Sequence, residues 1–199
     1  MIEWTRRVSL LRIAVELSAF AVAAALTAQT APVPSAQNPG IQTPGVQAQE
    51  WKSYSYPADG FSVSFPSQPQ FEKKQFSNGK GSFELRSYVA QISPVALFVG
   101  VCDYGSAASG KTADEMLQGA KNGAIANSNS RLLNEKTIPF GTHQGIAFDG
   151  ESEAAHFSFR IYLVDTTLYQ TLVVYPVDKP FDDAARFLDS FQLIARAAK

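Results

Sequence analysis

The stretch His156 to Pro176, HFSFRIYLVDTTLYQTLVVYP, decides the fold. Phe157, Phe159, Ile161 and Leu163 alternate with Ser158, Arg160 and Tyr162, and the limb from Leu168 to Tyr175 is rich in β-branched and aromatic residues. That composition and period predict two strands folded back on each other around Asp165, Thr166 and Thr167. A two-residue turn sets Phe159 on the face of Leu172 and Val174; a three-residue turn sets it with Val173 and Tyr175. Either register buries apolar side chains if both sheet faces are covered.

Upstream, Leu132 to Pro139 and Gln144 to Glu153 read as strands around the turn Phe140 to His143. Val95 to Asp103, VALFVGVCD, is continuously apolar and predicts a central strand buried on both faces. Phe71 to Phe76 and Ser82 to Gln91 form a hairpin around Asn78-Gly79, a strong turn pair. The first folded unit is YSYPADGFSVSFP, Tyr54 to Pro66, where Phe61, Val63 and Phe65 alternate with serines. Two helices complete the set. Thr112 and Glu115 have capping-box spacing before an apolar stripe of Met116, Leu117, Ala120, Ala124 and Ile125. Lys179 to Asp183 opens a last helix, with Pro180 in its first turn and Phe181, Ala184, Ala185, Leu188 and Phe191 on its inner side.

The ends of the chain read differently. Arg6, Arg7 and Arg12 precede an apolar stretch from Leu17 to Leu26 and small residues near Ala28, so residues 1–28 are expected to be a signal peptide. Ten apolar residues are too few for a membrane span, which needs about 20. Membrane contact is therefore expected only if this segment stays uncleaved. Residues 29–50, with four prolines and five glutamines, are expected to be a disordered linker, and residues 51–199 the domain.

Charge and cysteine count narrow the function. Seventeen Lys and Arg against 18 Asp and Glu leave no positive excess to attract nucleic acid. Cys102 is the sole cysteine, so no internal disulfide forms, and its apolar strand makes it a packed hydrophobe. Two histidines and one cysteine at wide spacing do not make a zinc site. No G-x-S-x-G or other activated serine is present.

Two motifs carry possible chemistry. GSAASGKT, Gly105 to Thr112, matches the phosphate-loop pattern through Gly105, Gly110, Lys111 and Thr112, and IYLVD at Ile161 to Asp165 mimics a strand ending in a magnesium-holding aspartate. Against it, the capping box places Thr112 before the helix rather than in its first turn, and hairpins flank the helix where parallel crossovers belong. Asp149, Glu151 and Glu153, at period two, share a strand face that could offer oxygen ligands to a hard cation, with His156 and His143 nearby. A solvated strand face explains the same acids.

YSYPADGFSVSFP, NGAIANSNSRLLNEKTIPFGTHQGIAFDGE (122–151), FRIYLVDTTLYQTLVVYP (159–176) and FLDSFQL (187–193), in this order and spacing, resemble a PsbP-like domain over Trp51 to Ile194. The resemblance implies an α+β fold in which an antiparallel β-sheet is flanked by α-helices, an α/β/α sandwich shared with the extrinsic PsbP subunit of photosystem II and a small Ran-binding nuclear protein. It also implies a non-catalytic, exported protein acting by binding. No site residue carries over from it. The expectation is an extracytoplasmic binding or accessory domain without a cofactor, its partner a protein or envelope component.

Overall fold

The computed structural model describes residues 50–78 and 81–197. The leader and nearly all of the linker lie outside the described residues, as does the tip of the Asn78-Gly79 turn. Ten strands and two helices follow in order: β1 Lys52–Tyr56, β2 Phe61–Phe65, β3 Gln70–Asn78, β4 Gly81–Ile92, β5 Val95–Asp103, α1 Ala113–Asn127, β6 Arg131–Phe140, β7 His143–Glu151, β8 Ala155–Val164, β9 Thr167–Pro176, α2 Ala184–Asp189 and β10 Gln192–Leu193.

Strands β3 to β9 make one antiparallel sheet of seven, in the order β3-β4-β5-β9-β8-β7-β6. The apolar run of β5 sits between β4 and β9 and is buried from Val95 to Cys102. The hairpin that decides the fold closes with Val164 opposite Thr167, a two-residue turn. Phe159 consequently faces Leu172 and packs in one core with Leu172 and Val174. Asp165 takes φ +53° in that turn, the left-handed region that aspartate tolerates better than most residues.

Helix α1 covers one face of this sheet, against β7 and β8. Thr112 is its N-cap, accepting from the Glu115 amide at 3.2 Å while Glu115 Oε2 accepts from the Thr112 amide at 2.8 Å. Leu117 and Ala124 are buried, and Met116, Ala120 and Ile125 pack beside them on Phe148, Phe157 and Phe159. Losing one cap costs about 1 kcal/mol. Thr112→Ala should therefore lower stability to urea by about that amount without changing the slope of the transition; no change in midpoint would show that packing alone holds the helix.

The opposite face corrects the α/β/α expectation. Its cover is a second, three-stranded sheet, β1-β2-β10, with the short α2 beside it. Phe61, Val63 and Phe65 from β2 and Phe187, Leu188 and Phe191 from the α2 region pack on Leu97, Val99, Val101, Tyr169 and Val173. The fold is thus sheet-dominated, with one long helix on one face and a small sheet on the other. Helix α2 also begins later than its sequence suggests. Pro180 and Phe181 precede it, and Asp183 occupies its N-cap position without a side-chain cap bond. Strand β10 pairs with β2, and two residues of strand give little pattern to read.

Candidate functional site

Three regions hold the chemistry-bearing side chains. The first is the loop Gly105 to Thr112. Gly105–Ala108 is one turn of 3-10 helix, and Gly105 and Gly110 take φ +46° and +76°. The structure does bring this loop to Asp165: Gly105, Ser109, Lys111, Met116, Leu163, Asp165 and Thr166 line a cleft of about 270 Å³. A phosphate cradle needs free amides aimed into it. Here the Lys111 amide donates to the Ala108 carbonyl at 3.1 Å, the Thr112 amide is bonded to Glu115, and the Gly105 amide donates to Asp103 Oδ1 at 2.9 Å. Asp103 Oδ1 also accepts from the Thr166 hydroxyl at 2.9 Å, stitching loop to hairpin. The cleft presents the Asp165 carboxylate in place of a ring of donors.

The second region is the acidic series. Asp149 and Glu151 share one face of β7, but the strand ends at Glu151, which leaves Glu153 in the following loop and off that face. The two carboxylates are engaged. Asn134 Nδ2 donates to Asp149 at 3.2 Å, while Arg131 and His156 Nδ1 lie 3.5 and 3.6 Å from Glu151. His156 stacks on Tyr175 with ring centroids 5.0 Å apart. Among the described residues no three His, Cys, Asp or Glu side chains converge as a metal site. These side chains lie on the small-sheet face of β6 to β9, beyond the small sheet's own cover. The edge of that cover is marked by Arg160, ion-paired to Asp189 of α2 at 2.5 Å.

The third region was not foreseen. Asp59, in the turn between β1 and β2, is 4% exposed, and its carboxylate meets Arg86 Nε at 2.5 Å and the Tyr88 hydroxyl in a short hydrogen bond. The Arg86 contact is ionic, its Nε–H making no well-aligned hydrogen bond. Arg86 reaches Glu84 at 2.9 Å, and Glu84 meets Lys73 at 2.6 Å. The Asp59 carbonyl accepts from the Tyr169 hydroxyl, which in turn accepts from Arg196 at 2.9 Å. Gly60 makes this closeness possible: a Cβ there would lie 2.7 Å from Arg196 Cγ. No sequence signal marks Asp59 as buried, because aspartate in a Pro-Ala-Asp-Gly turn is ordinarily solvated.

Electrostatics follow this burial. The Lys73 ammonium holds the Glu84 carboxyl below its usual range, with burial opposing. Burial pushes the Tyr56 hydroxyl up to about 12, and burial together with the Asp59 bond pushes Tyr88 higher still. The folded state thus keeps protons that an unfolded tyrosine releases near pH 10. Stability from these groups is complete below pH 10 and is lost as pH rises through the folded values. Tyr56→Phe should flatten the fall in melting temperature between about pH 10 and 12; an unchanged pH profile would count against desolvation of the half-buried Tyr56 hydroxyl.

Scanned against protein-family models, the sequence matches none. No curated protein matches it. Among solved structures, the solution structure of cyanobacterial PsbP (CyanoP) from Synechocystis sp. PCC 6803 is similar at 14% identity and a TM-score of 0.50, covering 75% of this chain and 95% of that one. The fold is PsbP-like. A second structure, protein PA94 of unknown function from Pseudomonas aeruginosa, aligns at 8% identity and a TM-score of 0.32 over 64% of this chain and 84% of that one, too distant to carry weight.

Proposed function

We propose that this chain is an exported, non-catalytic binding or accessory domain, acting outside the cytoplasm on a protein or envelope component. The observation that carries the reading is the uncovered part of the large sheet. Over β6 to β9 the small-sheet face is half-exposed and already ordered into a lattice of Arg131, Glu151, His156, Tyr175, Asn134 and Asp149. A preordered, wet, mixed-charge face suits recognition, since little side-chain entropy is lost when a partner docks. Catalysis by nucleophile and base finds no support in the same residues: His156 is directed to Glu151 and to the Tyr175 ring. The PsbP-like fold supports the accessory reading.

The test is capture of partners by the tagged chain from envelope and secreted fractions of its own cells, read by mass spectrometry. A reproducible partner retained by wild type and lost on Glu151→Arg supports the reading. Failure to retain any partner reproducibly sinks it.

A further inference from the structure

The segment around and after α2 changes character at Phe191. Up to that residue it is anchored by side chains: Phe187, Leu188 and Phe191 are buried in the core between the two sheets, at 0, 7 and 4% exposure. From Gln192 to Ala197 the side chains are exposed apart from Leu193 and Ile194, which are half-buried. What holds this stretch is polar. β10 pairs with β2 at two positions, Gln192 with Ser62 and Leu193 with Phe61, and the Ile194 and Ala197 amides donate to the Gly60 and Pro57 carbonyls, each at 2.9 Å.

Arg196 ties the stretch to the large sheet. Its Nη2 donates to the Thr167 hydroxyl at 3.0 Å and to the Tyr169 hydroxyl at 2.9 Å, and the Tyr169 hydroxyl donates onward to the Asp59 carbonyl at 2.8 Å. The arginine stem crosses Gly60 in space that only a glycine leaves free, since a Cβ there would meet Arg196 Cγ at 2.7 Å and Nε at 3.1 Å. Asp59 and Gly60 are both buried although they belong to a turn between strands, and Arg196 is part of the roof over Gly60. A stretch without a fully buried side chain, held by hydrogen bonds near the surface, opens at a much lower free energy than the core it rests on. The anchors of α2 have no need to move with it.

We propose that Gln192–Ala197 is a strap that opens and closes as a unit over the Asp59 turn, hinged at Phe191 and latched by Arg196. Opening bares the Gly60 and Pro57 carbonyls, the edge of β2 that faces β10, and the two hydroxyls that receive Arg196. The large sheet, α1 and α2 stay closed. The small sheet thereby has two surface states, and a single side chain sets the balance between them. The device is separate from the face over β6 to β9 and does not depend on what that face binds.

Its test is native-state hydrogen exchange of the full chain, ¹⁵N-labelled and followed by NMR at low denaturant. In wild type the Ile194 and Ala197 amides should be at least about a hundredfold less protected than the β5 amides of Leu97 and Val99, and their opening should be nearly independent of denaturant. Arg196→Ala, at an exposed position that leaves the fold intact, removes two hydrogen bonds from a charged donor. It should speed both strap amides about tenfold, and the Asp59 and Gly60 amides with them, while β5 and α1 change by less than about twofold. Exchange of Ile194 and Ala197 only with the steep denaturant dependence of β5 would overturn the proposal, because the stretch would then open only with the whole domain. Unchanged strap rates in Arg196→Ala would remove the latch, and equal acceleration of β5 and α1 would remove the hinge; either result overturns it as well.

Discussion

Asp59→Ala should lower the melting temperature by about 10 °C, corresponding to roughly 3 to 5 kcal/mol for removing one partner of a buried ion pair in a domain of this size. The loss arises less from the pair itself than from what stays behind. Arg86, with a side chain 19% exposed, keeps its charge against Tyr88 and the small sheet but loses its nearest carboxylate. The Tyr88 hydroxyl loses its acceptor as well. This origin is separable by experiment. Asp59→Ala combined with Arg86→Leu and Tyr88→Phe should recover part of the loss, because the stranded polar groups go with it. A triple variant no more stable than Asp59→Ala would mean that the turn, and not the charge, was the source.

A loss of comparable size is expected for Phe61→Ala, about 4 kcal/mol from a fully buried aromatic. Phe61 has no exposed surface and sits among Tyr56, Tyr88 and Phe191 at ring-centroid separations of 4.9, 5.1 and 5.5 Å. It is the point where the small sheet grips the large one. The damage should therefore be local before it is global: amide exchange accelerates in β1, β2 and β10 while α1 keeps its protection. Uniform acceleration in both layers would show that the small sheet has no separate stability.

How much of this could be read from the residues depends on whether a signal is local. The strands of the large sheet are long, alternating and separated by turn chemistry, so β5, the β8–β9 hairpin and the capped α1 were legible without coordinates. The register of β8 on β9 was not, because both candidate registers bury apolar residues; what decides it is the left-handed backbone of Asp165. The layer on the small-sheet face was hidden for a different reason. β10 is two residues long and pairs with a strand well over a hundred positions earlier, and no local pattern encodes a partner at that distance. The same holds at the candidate sites. Gly105 to Thr112 satisfied a motif whose letters are local but whose function depends on where amides point. Asp149 and Glu151 do share a face, whereas Glu153 left it because the strand ended two residues early. Asp59 and Arg86 meet through tertiary packing, to which composition is blind.

The small sheet is sewn from the two ends of the domain. The Ile194 amide donates to the Gly60 carbonyl and the Ala197 amide to that of Pro57, each at 2.9 Å. During synthesis, β2 emerges early but has neither β10 nor Phe187 and Phe191 to pack with until residues 184–197 have left the ribosome. The large sheet's inner aliphatic row, Leu97, Val99, Val101 and Val173, must wait with that face open. Emergence of that segment is then the event that closes the two layers, and a nascent chain halted before residue 184 is a sticky half-sandwich, the species a holdase chaperone would have to shield.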